Sequence, residues 1–145
     1  PSFNHQGALF HFRTELSASK FLNGSEIIKI YKEKSDEFFL SKLNPISSRG
    51  TWSGEKISIS EKQTVLGPVA SLTRASIRFS KARRFWSFSP PAEESLANKK
   101  GCLLAVGLGE APILRQATFS LWENLEYLNL YARTGAHLNA IQAEV

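Results

Sequence analysis

The sequence predicts an α+β fold: a single domain of two ferredoxin-like halves, with the first half and the final strand incomplete. Three observations lead there. The apolar patterns of the second half run strand, helix, strand, strand, helix, the ferredoxin-like order without its last strand. The two ends of the chain correspond internally. A length of 145 residues suits one hydrophobic core.

In residues 7–13, Ala8, Phe10 and Phe12 alternate with Leu9 and His11, which predicts a strand. Ser17 is the expected N-cap of a helix running to about Leu40, with a break near Asn23-Gly24. A short strand is expected over 41–46, completing what remains of the first half, residues 1–46. Residues 47–68 are rich in Ser, Gly, Lys and Glu and predict a long connection ending at Gly67-Pro68. The second half, 69–145, opens with a strand over 69–79. Short helical pieces at 81–86 and 92–98 follow, separated by Pro90-Pro91. Residues 102–108 form a continuous apolar run suited to a strand buried on both faces. A strand over 117–122 and a helix over 123–143, weakened at Gly135, complete the order. Sliding the chain so that Ala8 meets Ala117 also sets Phe10 on Phe119, Phe12 on Leu121 and Phe21 on Leu130. That correspondence predicts two related halves packed together.

Composition bounds the function. Apolar residues make up 42% and charged residues 21%, an ordinary globular balance that favours folding over disorder. No apolar run approaches the ~20 residues of a membrane span, and no signal peptide pattern opens the chain. Cys102 is the only cysteine, which suits a reducing compartment, so the expected location is cytoplasmic; a membrane-peripheral position is compatible. The chain starts at Pro1, lacks methionine and ends at Val145 inside a helical pattern, as an excised region would.

The net charge is +5, with basic residues clustered at Arg78, Lys81, Arg83 and Arg84, and again at Lys99 and Lys100. Such a patch is either a solvated face or a dock for an acidic protein. Nucleic acid is disfavoured because binding motifs are absent and the aromatics are not interleaved with the cations.

Elbow, Walker, dinucleotide and zinc-protease motifs are all absent. Gly107-Leu108-Gly109 fails as a nucleotide loop, since the third glycine is missing and Glu110 would repel phosphate. Of the three histidines, His5 lies near the start, His11 reads as a satisfied core residue, and His137 shares a helix face with Ala140 and Ile141. Arg74 interrupts an otherwise apolar or small strand face and needs a partner. It is either one half of an ion pair with Glu110 across neighbouring strands or an anion clamp, for example for a cofactor carboxylate.

Thr73-Arg74-Ala75 with Ile77, Phe85-Trp86, Gly107-Leu108-Gly109-Glu110, the run Gln116 to Trp122, Tyr131 and His137 together resemble the spheroidene (carotenoid) monooxygenase family. Arg49-Gly50-Thr51-Trp52-Ser53-Gly54 looks like the family's Gly-x-Trp-Ser-Gly loop. The resemblance implies a haem-dependent monooxygenase that uses O2 and reduced ferredoxin to install a keto group at the end of an acyclic carotenoid. The predicted pair of ferredoxin-like halves is of the dimeric α/β-barrel type, folds of which carry haem in unrelated enzymes, and a homodimer is compatible with it. Family members extend further at both ends. A porphyrin and a polyene both need an apolar aromatic pocket. Trp52, Phe85, Trp86, Phe119 and Trp122 could build one, or could be plain core. The resemblance places a histidine at the position of His137, which makes it the expected axial ligand to haem iron. His11 is its rival and Cys102 a third candidate. The alternative function is a non-catalytic haem- or apolar-ligand-binding module.

Overall fold

The structure is a computed structural model. It describes residues 7–52, 54–59, 64–76, 78, 80, 96, 98–111 and 115–133. The expected helices at 81–86 and 92–98 lie outside these residues, apart from Leu96 and Asn98, and so does the end of the last helix. The class is α+β, with helices and a three-stranded antiparallel sheet. The chain divides into two units, Ala8–Gln63 and a second made of Pro1–Gly7 with Thr64–Val145.

In the first unit, helix α1 spans Glu15–Gly24 and α2 spans Glu26–Lys34. The N-cap of α1 is Thr14, whose hydroxyl accepts the Ser17 N–H at 3.1 Å. The cap therefore sits three residues before the one expected, and Ser17 is capped instead of capping. The break expected at Asn23-Gly24 is present: the Ser25 N–H closes α1 on the Phe21 carbonyl at 2.9 Å, and the chain restarts as α2. Helix α2 stops at Lys34 rather than Leu40. There the Ser35 hydroxyl donates to the Tyr31 carbonyl at 2.5 Å, a side-chain bond that competes with helix continuation.

Neither strand expected in this unit forms: residues 7–12 and 41–46 join no ladder. The alternation at Phe10 and Phe12 serves an aromatic cluster, with both rings against Phe21 at 4.7 and 5.2 Å between centroids. Ala8–Phe12 and Ala117–Leu121 thus differ in local structure, and the internal correspondence is not realised as a repeated strand.

In the second unit, β1 spans Val69–Ser76, β2 Cys102–Ala111, β3 Arg115–Trp122, and helix α3 Leu125–Arg133. The order is β1-β3-β2, with β3 antiparallel to both neighbours. All three strands were legible in the sequence, with β2 and β3 longer than expected. Strand β2 lies at an edge of this sheet and is not buried on both faces. Its Leu103 forms a bulge between Cys102 and Leu104 and is 52% exposed.

Side-chain alternation gives the sheet two unlike faces. On one, Trp122 is fully buried at 0% exposure beside Val69 and Leu96, with Cys102, Ala105, Leu125, Tyr127, Leu128 and Tyr131 packed around them. This is the face that α3 covers. The Trp122 Nε1–H donates to the Ser120 hydroxyl at 2.9 Å, so the buried indole carries no unmet donor. Asn124 starts α3 by accepting the Tyr127 N–H at 3.0 Å.

Gly101 joins these parts. Its carbonyl accepts the Glu123 N–H at 2.9 Å, tying the entry of β2 to the exit of β3. Its φ of +81° belongs to the left-handed region, and a Cβ there would overlap the Tyr127 ring. Gly101→Ala should therefore cost about 2–4 kcal/mol, left-handed strain and ring displacement together. Urea unfolding of the two proteins measures it, and a loss under 1 kcal/mol would contradict this packing.

Cys102 lies under α3, and burial pushes its thiol above the ordinary value of about 9, with a weaker opposing effect from its hydrogen bond to the Leu104 carbonyl. Tyr131 is likewise raised, first by burial and then by the charge of the Cys102 thiolate. For both groups the folded state holds its proton more tightly than the unfolded one. Their stabilisation is complete below the unfolded values and lost as pH rises through the folded values. The thermal midpoint should fall as pH is raised above about 9, and the reaction of Cys102 with a disulfide reagent should titrate above that value. A thiol titrating at or below the ordinary value would contradict its burial.

Candidate functional site

The face of the sheet opposite α3 is the candidate site. Reading across β1, β3 and β2, one row is Ala70, Leu121 and Leu104, and the next is Leu72, Phe119 and Val106. A third row sets Arg74 beside Ala117 and Leu108. Ala117 is buried, and the other side chains of these rows are half-buried. At the β2 edge the backbone comes down on this face, since a Cβ at Gly7 would press the Leu108 side chain at 2.9 Å. The result is an apolar floor two residues deep on each strand, ended by a guanidinium.

Arg74 and Phe119 are brought together here. Arg74 stands opposite Ala117, two residues along β3 from Phe119 and on the same side. Arg74 is also engaged in an interaction within the chain. The strands that carry Arg74 and Glu110 are not neighbours, because β3 lies between β1 and β2, and the side chain of Glu110 lies outside the described ones. Glu110 falls in the irregularity between Gly109 and Ala111, whose β3 partners are Gln116 and Arg115. The cation nearest to it in register is Arg115 on the adjacent strand. The adjacency expected from the sequence assumed a hairpin order that the crossover between β1 and β2 replaces.

Trp122 and Phe119 are not brought together. They sit an odd number of positions apart on β3 and project to opposite faces. Trp122 is closed off beneath α3 with Tyr131, ring centroids 5.2 Å apart, and serves as core. Trp52 belongs to the first unit, where it forms a two-way backbone bridge with Glu55 (Trp52 N–H to Glu55 O at 2.8 Å, Glu55 N–H to Trp52 O at 3.0 Å), and Gly54 has φ +88°. Phe85, Trp86 and His137 lie outside the described residues. His11 is exposed, which removes its reading as a core histidine. Cys102 occupies the α3 face with its thiol held protonated by burial, a poor state for a thiolate ligand. Among the described residues no three His, Cys, Asp or Glu side chains gather as a metal site, and no helix is long and apolar enough to cross a membrane.

Leu72, Phe119, Leu121, Leu104 and Val106 are the residues missed as a group. The signal was present: strict alternation in β1 and β3 assigns their faces once the register is known. What such a floor can do chemically is hold a flat or extended apolar body, exclude water from it, and meet a polar group at its Arg74 end.

The chain is 48% identical to a spheroidene monooxygenase of Rubrivivax gelatinosus over 143 residues, covering 99% of this chain and 56% of that protein. It is 31% identical over 147 residues to a spheroidene monooxygenase of Rhodobacter capsulatus, covering 99% of this chain and 61% of the relative. The spheroidene monooxygenase of Cereibacter sphaeroides is 31% identical over 146 residues, of which 45% of its length is spanned. The chain thus spans about half the length of the relatives it matches. No family model and no solved structure matches it. Over 99% of its own length, the chain is similar to proteins of the spheroidene monooxygenase family.

Proposed function

We propose that this chain is the part of a carotenoid monooxygenase that holds an apolar polyene on the sheet face of Leu72, Phe119 and Leu121. The observation that carries the reading is the 48% identity to a protein named spheroidene monooxygenase, over a stretch that includes the whole sheet and α3. We take the sheet and α3 as the core of one ferredoxin-like half, supported by the order β1-β3-β2 with β3 antiparallel to both neighbours.

The reaction class inserts one atom of O2 into a C–H bond of the substrate, while two electrons and two protons carry the other atom to water. The proposed cofactor is haem, which supplies oxygen activation when bound. The half-buried apolar floor suits a porphyrin body, and a guanidinium at its end suits the porphyrin carboxylates. The residues of the chain contribute by burial and orientation: Leu72, Phe119 and Leu121 exclude water from the reacting end of an apolar molecule, and Arg74 fixes the polar end of what lies on the floor. His137 is the residue that would hold the haem iron, supported by the resemblance of the sequence around it to the family pattern. The electrons come from an acidic ferredoxin-type protein that docks at the basic cluster of Arg78, Lys81, Arg83 and Arg84, of which Arg78 is described and exposed.

Two experiments test this reading. The chain loaded with haemin should show a Soret band, which His137→Ala should lose while circular dichroism stays unchanged; His11→Ala should retain it. An unaltered spectrum in His137→Ala overturns the ligand assignment, and a chain that takes up no haemin overturns the cofactor. Reduction by a ferredoxin should slow as ionic strength rises from about 0.01 M to 0.2 M, because screening shortens the reach of the basic patch. Salt-independent reduction would make Arg78, Lys81, Arg83 and Arg84 ordinary surface.

A further inference from the structure

The apolar floor has an asymmetry along the strands. Beyond the row of Arg74, Ala117 and Leu108, the next pair in register is Ser76 with Arg115. Arg74 and Arg115 are therefore diagonal neighbours on adjacent strands and on one face, where such pairs stand about 7–8 Å apart. Arg74 is half-buried and Arg115 exposed, and the small Ala117 lies between them and Phe119. Two guanidiniums brought together repel each other.

We propose that Arg74 and Arg115 form a carboxylate-receiving end to this face, so that the ligand lying on it is an apolar body ended by a carboxylate. The proposal rests on the reading of the face as an apolar-ligand site. A guanidinium presents five N–H donors in a planar fork, so Arg74 can keep its contact within the chain and still donate to a carboxylate oxygen. Half-burial at Arg74 strengthens the pairing by limiting its competition with water. The carboxylate has two sources of the same chemistry, the side chains of a porphyrin or the end group of a polyenoic acid.

Acid and ester forms of one probe separate charge recognition from apolar binding. Parinaric acid and its methyl ester are titrated by fluorescence into the full chain, and haemin and its dimethyl ester by absorbance. The acid of at least one pair should bind about tenfold more tightly than its ester at low salt, with the advantage shrinking as salt is added. Preference for haemin alone assigns the carboxylate to the cofactor, and preference for parinaric acid alone assigns it to the substrate. Arg74→Met with Arg115→Met should abolish the preference while circular dichroism stays unchanged. The corresponding pair of Lys substitutions, which keeps both charges, should retain part of it. Equal binding of acid and ester in both pairs overturns this inference and leaves the apolar site standing. So does a preference that survives the double Met variant. Failure of every probe to bind overturns the apolar site itself, and this inference with it.

Discussion

The burial of Trp122 is the constraint on which the second unit depends. The indole ends the central strand, opposite Val69 on one side and Cys102 on the other, so both neighbouring strands are brought into register at the residue that α3 covers. Its N–H would cost about 1–3 kcal/mol if buried without a partner. Ser120, two residues back on the same face, meets it with a hydroxyl small enough to leave room for the ring. The turn through Gly101 then returns the chain at the right height, its carbonyl bound by Glu123 just past the tryptophan. Small side chains at Ser71, Ala105 and Ser120 on this face let the helix approach closely.

Closing one face decides where a ligand can lie. With Trp122 sealed beneath Tyr131 of α3, the alternation of β3 sends Phe119 and Leu121 to the other side, together with Leu72 and Arg74. The aromatic residues that looked like one pocket in the sequence are divided between core and floor by a single odd spacing. A charged group on the floor is tolerable because Arg74 lies toward the end where Ser76 and Arg115 follow, not in the row of Leu72 and Phe119.

The first unit shows how local patterns mislead without a partner. Ala8 to Phe12 carries a strand's alternation, but among the described residues no strand lies beside it, and its rings gather on Phe21 of α1. The cap is a similar case. Ser17 and Thr14 are equally good N-cap residues by chemistry. What separates them is backbone conformation, extended at Thr14 with φ −137° and ψ 151°, which no side-chain preference specifies.

By itself the sequence determined the α+β class, the three strands of the second half, the break between α1 and α2, and the family resemblance that the relatives support. These rest on periodicity, turn residues and matched motifs, all properties of neighbours along the chain. Only the tertiary structure decided that β3 lies between β1 and β2, that Trp122 is core while Phe119 is floor, and that Arg74 has Arg115 rather than Glu110 as its diagonal neighbour. The physical reason is that strand order and register depend on which residues far apart in sequence bury one another. A one-residue change of register would carry every side chain of β3 to the opposite face.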